Sequence, residues 1–419
     1  MHVVVIGAGV VGMTTAWALA REGHRVSVVD AAGEPAAGAS HGNGAQLSYS
    51  YVAPLAGPSI WRDLPGLLFS PDAPVRFRPT LDPFQYRWGL KFLANCTARA
   101  ARQTTAALLQ LAFLSRDTVK AAEDVGALDF DWRESGKLVV YSKPESFAAA
   151  RAQVELQAGL GCRQTVLDRD ACLAREPALA TIAHRLAGGI HTADDAAADP
   201  VRLCLGLRAL LSAGNAAVDF RFGTRATRLV RDGTRLKGID TNAGLIEADA
   251  YVLAGGYESR ALARSVGIGL PIYPIKGYSL TVDVGDEAAA PLASITDYAN
   301  KIVYARLGAK MRIAGMADIV GPGRDLAADR VAQLVRQAKE TFPGAADWSG
   351  DLKAWTGMRP ATPSGRPIIG ASGIDNLALN VGHGPLGFTL AFGSAAALAA
   401  HLAGRTPPVS LEEFSLARA

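Results

Sequence analysis

Residues 2–30, HVVVIGAGVVGMTTAWALAREGHRVSVVD, decide the fold. The opening VVVIG predicts a buried parallel strand, and the turn that follows contains Gly7, Gly9 and Gly12. MTTAWALAREG then shows helical spacing that stops at a glycine, and RVSVVD predicts a second strand that ends in Asp30. The order of strand, glycine turn, helix, strand and acid predicts a βαβ nucleotide-binding unit.

The chemistry of this unit is dinucleotide recognition. Glycines let the chain turn tightly and approach a pyrophosphate, and the helix N-terminus stabilises the negative charge. The acid at the end of the second strand accepts hydrogen bonds from ribose hydroxyls. A lone G-x-G-x-x-G also fits a tight strand-to-helix turn, but the complete order of elements favours the dinucleotide. The expected contacts are Gly7, Ala8, Gly9, Val10, Val11, Gly12 and Asp30.

The next stretch, residues 38–59, is a polar and glycine-rich loop, GASHGNGAQLSYSYVAPLAGPS. A nicotinamide enzyme would normally continue with alternating strands and helices, so this loop indicates that an extended ligand is wrapped. Ser40, Asn43 and Gln46 are expected to bond to a phosphate and to a polar ring edge. The alternative is a long surface loop, although loops of this length are uncommon unless they are functional.

A second glycine-rich turn, GHGPLGFTLAFGS at residues 382–394, opens an apolar, alanine-rich run. With Gly384 as cap and Pro385 in the first turn, the free N–H groups at the helix start form an anion site. The alternative is an ordinary capped core helix. The expected ligand contacts here are Gly382, Gly384, Leu386, Gly387, Phe388 and Thr389.

Composition narrows the class of protein. A chain of 419 residues predicts two domains, and 43 Lys plus Arg against 39 Asp plus Glu argues against nucleic acid as a partner. The four cysteines form no C-x-x-C pair, so neither a metal site nor a disulfide framework is expected. The N-terminus lacks the pattern of a signal peptide, and His401 argues against a membrane span in the apolar run, which predicts a cytoplasmic protein.

Six motifs from Met1 to about Ala417 carry a family resemblance. They are GAGVVG with Asp30, ASHGNGAQLS, YPIKGYSLT from Tyr273, RIAGMADIVG from Arg312, WTGMRPATPSGRPIIG from Trp355, and GHGPLGFTLAFGS. In this order they resemble the bacterial FAD-dependent D-amino acid dehydrogenases of the small-subunit type, within the D-amino acid oxidase superfamily.

The resemblance implies an α/β protein of the D-amino acid oxidase and glutathione-reductase-like FAD fold. A Rossmann-like FAD-binding domain, residues 1–50, 142–264 and 349–419, is expected to interleave with an α+β substrate domain on a mainly antiparallel sheet, residues 51–141 and 265–348. FAD is the implied cofactor. The resemblance adds His41, Gly44, Ala226, Gly255 and Gly256 to its expected contacts, although from sequence alone the last two form only a strand-to-helix turn.

The implied reaction is oxidative deamination. A hydride would pass from the α-carbon of a D-amino acid to flavin N5, and hydrolysis of the imine would give a 2-oxo acid and ammonia. Arg359 in TGMRPATP matches the superfamily arginine that anchors the substrate carboxylate, whereas the alternative is a surface arginine. Electrons would pass to a quinone or respiratory carrier, with a peripheral contact at the inner face of the cytoplasmic membrane through LPGLLFSP near Trp61.

Other residues are weaker candidates for the same site. Tyr278 is expected to contact flavin or substrate, or else to pack, and Tyr304 and Arg306 alternate on a strand that would line the same cavity. His41 and His383 would tune the flavin or collect the amine proton. For His383 the alternative is a hydrogen bond that holds the turn.

The sequence leaves two other functions open. One is a related enzyme that acts on D-hydroxyproline, glycine or an N-methyl amino acid, with oxygen as acceptor. The other is a non-catalytic flavoprotein subunit of a complex. Arg359 in its motif and the intact phosphate loop count against the subunit.

Overall fold

A computed structural model of the chain describes residues 1–61, 73–213, 218–350 and 352–419. The described helices are α1 (Val10–Arg21), α2 (Pro83–Asn95), α3 (Ala98–Ala121), α4 (Glu123–Gly126), α5 (Pro144–Ala158), α6 (Arg169–Arg175), α7 (Pro200–Ala213), α8 (Ser259–Arg264), α9 (Ala328–Thr341) and α10 (Gly387–Leu402). The described strands are β1 (His2–Ile6), β2 (Arg25–Val29), β3 (Gln46–Leu47), β4 (Val75–Phe77), β5 (Lys137–Tyr141), β6 (Gln164–Leu167), β7 (Gly188–Thr192), β8 (Ala196–Ala197), β9 (Val218–Arg221), β10 (Ala226–Asp232), β11 (Arg235–Thr241), β12 (Gly244–Ile246), β13 (Ala250–Leu253), β14 (Tyr273–Asp283), β15 (Ser294–Asp297), β16 (Ile302–Leu307), β17 (Lys310–Ile319), β18 (Lys353–Ala361), β19 (Ile368–Ile374) and β20 (Leu377–Val381).

The smaller of the two main sheets has the strand order β19-β20-β13-β1-β2-β9. β1 is parallel to both β2 and β13, and Ile6 is paired with Val29 on one side and with Leu253 on the other. The carboxyl ends of these three strands therefore lie at one edge of the sheet, which is where α/β sheets bind their ligands. The strand and helix predicted for residues 2–30 are confirmed.

Helix α10 lies in the core beside α1 and α3. Phe392 of α10 packs edge-on against Trp17 of α1, with ring centroids 5.5 Å apart. A Cβ on Gly393 would lie 2.4 Å from the carbonyl oxygen of Leu111, so only glycine allows this close crossing with α3. Residues Gly384–Leu402 are long and apolar enough to cross a membrane, but 67% of that window is buried inside the protein, as in a core helix.

The larger sheet has the order β18-β14-β17-β16-β15-β5-β7-β6, and β4 also pairs with β17. Most neighbours are antiparallel, whereas β15 with β5 and β17 with β4 are parallel. Helix α9 covers one face with a buried core that includes Leu334, Ala338 and Phe342. The other face is turned towards a large cavity. The predicted α/β fold class, with a mainly antiparallel second sheet, is confirmed.

Strand pairing departs from the expected domain boundaries in two places. β6 and β7 fall within 142–264 and β18 falls within 349–419, yet all three are strands of the larger sheet. Their backbone groups pair with β5 and β14, which sequence patterns alone did not reveal. With these two changes, the interleaved division stays a prediction. The LPGLLFSP segment, residues 64–71, lies outside the described residues.

Candidate active site

A cavity of about 1240 Å³ lies between the carboxyl edge of the smaller sheet and one face of the larger sheet. Small-molecule sites usually have volumes of roughly 300–1,000 Å³, so this cavity has room for a dinucleotide together with a small substrate. Its walls include most of the residues expected from the sequence. These are Gly7, Gly9, Val10, Val11, Asp30, Ser40, Asn43, Gly44, Gln46, Ala226, Gly255, Gly256, Tyr278, Arg359, Gly382, His383, Gly384, Leu386, Gly387, Phe388 and Thr389.

Three expected contacts are not among the lining residues: Ala8, Gly12 and His41. Gly12 has a structural role, because a Cβ there would lie 1.9 Å from the carbonyl oxygen of Gly7. The backbone N–H of Ala8 donates to a carboxylate oxygen of Asp30 at 2.7 Å. The turn itself therefore depends on Ala8 and Gly12, whereas neighbouring residues face the cavity.

Gly9 differs from the other glycines of the first turn. A Cβ on Gly7 would lie 2.6 Å from the carbonyl oxygen of Ala254, so Gly7 is needed for packing. A Cβ on Gly9 would meet only the Ser40 hydroxyl oxygen, at 3.4 Å. The space above Gly9 is thus left open by the protein, as close approach of a pyrophosphate would require.

Asp30 is held at the wall of the cavity by two backbone donors. Its carboxylate accepts from the N–H of Ala8 at 2.7 Å and from that of Ala32 at 2.8 Å. Since an ionised carboxylate has about four lone-pair sites, it keeps acceptor capacity for ribose hydroxyls. Ser40 is fixed in a similar way, because its hydroxyl oxygen accepts from the N–H of Val10 at 3.0 Å.

The second glycine turn enters the cavity through two residues with left-handed backbone, Gly382 (φ 81°) and Gly384 (φ 54°). One 3₁₀ turn, Gly384–Leu386, precedes α10. A Cβ on Gly387 would meet only the Cβ of His383, at 3.6 Å. The start of α10 therefore has open space in front of its free N–H groups, as an anion or polar ring edge needs.

Two buried polar atoms on this wall have no hydrogen-bond partner within the described residues. They are Nε2 of His383 and Oδ1 of Asn380. Burial lowers the pKa of His383 to about 3, which favours the neutral imidazole near pH 7. Buried polar atoms without partners are uncommon, and these two point to a polar ligand in the cavity. The open space at Gly9 and Gly387 and the two unpaired atoms together fit FAD.

Arg359 occupies the opposite wall of the cavity, on β18. Its guanidinium lies directly over Gly277 of β14, where a Cβ would come within 2.4 Å of Cζ. Nη1 donates to the carbonyl oxygen of Met316 at 2.6 Å, and Nη2 donates to that of Gly315 at 3.3 Å. Gly277 therefore provides the space in which the arginine lies flat on the sheet.

The carbonyl groups that hold Arg359 come from an irregularity in β17. Three residue steps on β17, from Gly315 to Asp318, face two on β14, from Tyr278 to Lys276, and Met316 has a φ of 62°. Such a bulge redirects the backbone, and bulges are frequent next to active sites. The carbonyl oxygens of Gly315 and Met316, at this irregularity, are thereby available to accept from the guanidinium.

Within the part of the chain that the structure describes, Arg359 is a cation without a carboxylate partner. The structure gives it no ion pair within the described residues, and burial lowers its pKa to about 10. The guanidinium is still charged near neutral pH, and it faces a cavity. A carboxylate that enters the cavity can therefore pair with it in the two-pronged geometry that arginine favours.

Strand alternation corrects three of the weaker candidates. Gly277 faces the cavity, so the side chain of Tyr278 points to the opposite face, where its hydroxyl donates to Asp318 at 3.1 Å. The hydroxyl of Tyr304 donates to Thr341 at 3.3 Å in the core under α9, and Arg306 pairs with Glu287 on the same side. These side chains bond to other residues of the protein, and they are not placed for the expected contacts with flavin or substrate.

His41 is also displaced from its expected place, because Trp355 lies between it and the cavity. The exposed imidazole lies against the Trp355 ring, with centroids 6.1 Å apart. The indole in turn fits between two glycines: a Cβ on Gly42 would lie 2.0 Å from it and one on Gly357 1.9 Å. Trp355 thus forms a wall of the cavity. In the sequence, Trp355 is marked only as the first residue of the motif WTGMRPATPSGRPIIG.

Lys137 is a site residue that sequence reasoning missed. It is buried on β5, and Nζ donates to Oε1 of Gln46 at 2.6 Å and to the hydroxyl of Ser48 at 2.8 Å. Nζ also lies 4.6 Å from the ring centre of Tyr51. Burial lowers the pKa of this lysine. Its contacts fix Gln46 at the cavity, and the available signal was a lysine at the start of the apolar run GKLVVY.

Gly387→Val tests the second glycine turn. We expect the variant to lose at least about tenfold in FAD affinity while the unfolding temperature of the apoprotein changes little, because the new side chain fills space that only the ligand would use. FAD titration and thermal unfolding of the apoprotein measure the two effects. Gly393→Val is the matched control that must destabilise the fold through its contact with Leu111. Equal loss of binding and stability in Gly387→Val would make the turn a mere helix cap.

Comparison with known proteins shows which protein family the sequence of this chain matches. Residues 2–401 match the family profile described as FAD dependent oxidoreductase (DAO). D-amino acid dehydrogenase 2 of Ralstonia nicotianae is 46% identical over 427 residues, which cover 100% of both chains. D-amino acid dehydrogenase 2 of Pseudomonas aeruginosa is 48% identical over 97% of this chain and 96% of its own length.

The fold itself has counterparts among solved structures. Glycine oxidase from Geobacillus kaustophilus superposes with a TM-score of 0.75 at 20% identity, over 100% of this chain and 98% of the oxidase. At that level of identity the likeness concerns the arrangement of sheets and helices alone.

Proposed function

The chain belongs to the FAD dependent oxidoreductase (DAO) family, and from this premise we propose that it deaminates D-amino acids oxidatively to 2-oxo acids and ammonia. It is an oxidoreductase with FAD as its cofactor. The observation that carries the choice of substrate is the guanidinium of Arg359, which lies over Gly277 in the wall of the cavity and pairs with no carboxylate among the described residues. The names of the relatives supply the D configuration.

Bound FAD supplies a two-electron oxidant that takes up hydride. The protein must then bind and orient the substrate. Arg359 is placed to form two parallel, charge-assisted hydrogen bonds with the substrate carboxylate. These bonds bind the substrate and also fix the position of its α-carbon. Since the guanidinium donates to the carbonyl oxygens of Met316 and Gly315, its orientation is set before the substrate binds.

The opposite wall would hold the cofactor. Gly9 and the start of α10 would face its pyrophosphate and its ring edge, and Asp30 would accept from the ribose. His383, as a neutral imidazole, can donate or accept one hydrogen bond at Nε2 without bringing a charge into the cavity. The imine product reacts with water without help, so no triad or pair of carboxylates is required.

The electron acceptor is part of the proposal. We infer a quinone or another respiratory carrier, and with it a peripheral contact at the inner face of the cytoplasmic membrane. Relatives that carry the name dehydrogenase, and not oxidase, support this choice. A dye acceptor and oxygen, compared at equal concentration, distinguish the two possibilities.

Anaerobic flavin reduction tests the proposed reaction. Purified holoprotein mixed with D-alanine or D-proline in the absence of oxygen should lose its oxidised flavin absorbance, whereas the L-isomers should leave the spectrum unchanged. A full set of D- and L-amino acids, with glycine and N-methyl amino acids included, then ranks the substrates. A spectrum that stays oxidised with every D-amino acid, or reduction by glycine alone, would overturn the proposal.

A further inference from the structure

We propose that a second cavity, of about 480 Å³, binds a phosphate group next to Arg312, Ser279 and Thr281. It lies on the other side of Trp355 from the first cavity. Among the described residues that line them, the two cavities share only Gly42 and Trp355. Deamination in the first cavity uses none of the three phosphate-site residues, so phosphate binding does not depend on the proposed function.

Strand register brings the three side chains of the phosphate site together. Thr281 of β14 is the direct partner of Arg312 on β17, and Ser279 lies two residues before Thr281, so all three are on one face of the sheet. The intervening residues Leu280 and Ile313 belong to the core under α9. The three polar side chains therefore lie on the face opposite α9, where they line the second cavity.

Arg312 is a buried cation, 7% exposed, with one nitrogen that is not engaged. Nε donates to the hydroxyl oxygen of Thr281 at 2.8 Å, and Nη1 donates to the carbonyl oxygens of His41 and Asn43, at 3.3 and 2.7 Å. Burial lowers the pKa of Arg312, and the charge of Asp199 offsets part of that effect. Within the described residues Nη2 has no hydrogen-bond partner, so its two N–H groups are left for a ligand.

Two hydroxyl groups of the same cavity also have a proton to donate. The Thr281 oxygen accepts from Nε of Arg312, which leaves its own proton for another acceptor. The Ser279 hydroxyl, on a residue that is 2% exposed, forms no hydrogen bond with another described residue. Because buried polar groups without partners are uncommon, a guanidinium nitrogen and two such hydroxyls on one wall indicate a ligand with several acceptor oxygens.

The two acidic side chains that line this cavity, Asp131 and Asp199, are engaged elsewhere. Asp131 pairs with Arg202 at 2.8 Å. Asp199 lies at the start of α7, where its Oδ1 accepts from the N–H of Val201 at 2.7 Å. Neither carboxylate accepts a hydrogen bond from Arg312. The negative charge that pairs with Nη2 must therefore come from a ligand.

Two exposed lysines add positive charge at the rim of the cavity. Lys353 of β18 is the direct partner of Thr281, and Lys310 begins β17. Lys310 lies opposite Asp283, which is also exposed, whereas Lys353 has no acidic residue opposite it in the sheet. A phosphate carries a charge of about −1.5 to −2 at pH 7, which matches one buried guanidinium and one lysine at the rim.

The donors of this site suit a phosphate better than a carboxylate. A carboxylate is matched by two parallel N–H groups on two nitrogens of one guanidinium. Arg312 offers Nη2 alone, because Nε and Nη1 are engaged. A tetrahedral phosphate presents its oxygens in different directions, so it can accept separately from Nη2 and from the two hydroxyls.

Isothermal titration calorimetry of the FAD-loaded enzyme with inorganic phosphate, methyl phosphate and acetate, at constant ionic strength, tests the site. We expect one phosphate per chain with a Kd of about 1 mM or lower, and acetate to bind at least about tenfold more weakly. Arg359→Ala should bind phosphate as the unchanged enzyme does, which separates the two arginines. Equal Kd values for the two phosphates would identify free phosphate as the ligand, and a lower Kd for methyl phosphate would identify a phosphate monoester.

Ser279→Ala removes one donor at almost constant volume, so the Kd for phosphate should rise by about tenfold. Ser294→Ala is the matched control and should leave the Kd unchanged. Ser294 is also a buried strand serine whose hydroxyl has no partner among the described residues, and it lines neither cavity.

Arg312→Gln should abolish measurable phosphate binding. Because Arg312 also holds the carbonyl groups of His41 and Asn43, FAD content is measured in parallel, and Ser279→Ala decides the question if this variant fails to fold. No binding of either phosphate to the unchanged enzyme, or an unchanged Kd in Ser279→Ala, would overturn the site. Acetate binding as tight as that of phosphate would overturn the choice of ligand.

Discussion

Arg359→Ala should lower kcat/KM for D-amino acids by about 1,000-fold, chiefly through a higher KM, while the FAD content stays that of the unchanged enzyme. The removal of one partner from a buried, hydrogen-bonded charge pair costs about 2–5 kcal/mol, and loss of orientation at the α-carbon adds to it. Steady-state kinetics with a dye acceptor, together with the flavin absorbance per protein, measure both quantities.

Two further variants separate charge from geometry. Arg359→Lys keeps a cation but loses the planar fork, so we expect only partial recovery of kcat/KM. Gly277→Ala leaves Arg359 in place in the sequence but puts a methyl group where the guanidinium lies, 2.4 Å from Cζ, so activity should fall without loss of the arginine. Arg228→Ala, which removes an exposed arginine paired with Asp240, serves as control. An unchanged KM in Arg359→Ala would refute the anchor.

The sequence was sufficient where a chemical requirement fixes both residue type and spacing. The first βαβ unit needs glycines, a strand and an acid in one order, and the structure has all of them. The arginine motif, recognised through the family resemblance, led to a side chain that lines the cavity, and the role of Arg359 as the carboxylate anchor stays a prediction. Both predictions concern residues close together in the chain.

Strand alternation limited the other predictions. Tyr278 follows Gly277 by one residue, and that single step moves its side chain from the cavity to the core under α9. The side chains of Tyr304 and Arg306 also point away from the cavity, towards Thr341 and Glu287. The neighbouring strands decide whether the odd- or the even-numbered side chains of a strand face the cavity. Residues 277, 315 and 357 come together only in the folded sheet.

Lys137 and the bulge at Met316 could not be predicted for a different reason. A lysine at the start of an apolar strand usually ends in solvent, and only the loop around Gln46 gives it buried acceptors. The bulge appears when three residue steps along β17 are matched against two along β14. Neither feature has a local sequence pattern, since both arise from pairings between distant segments.

Gly9→Val and Gly12→Val should have opposite effects on fold and cofactor. Gly9 has extended backbone, φ −70° and ψ 175°, which valine adopts readily, and its Cβ would meet only the Ser40 hydroxyl. The variant should fold, with an apoprotein unfolding temperature equal to that of the unchanged apoprotein. It should retain almost no FAD, because the new methyl groups occupy the pyrophosphate position.

In Gly12→Val the clash is with the protein itself. A Cβ placed 1.9 Å from the carbonyl oxygen of Gly7 separates α1 from β1, so the free energy of unfolding should fall by more than about 4 kcal/mol and added FAD should not restore the fold. Circular dichroism, thermal unfolding of apoprotein and FAD titration distinguish the two outcomes. The sequence motif GAGVVG gives Gly9 and Gly12 the same expected role, but only a substitution at Gly9 is expected to change FAD binding without changing the fold. If Gly9→Val unfolded as Gly12→Val does, the open space above Gly9 would not be a cofactor site, and the assignment of this wall to FAD would fail.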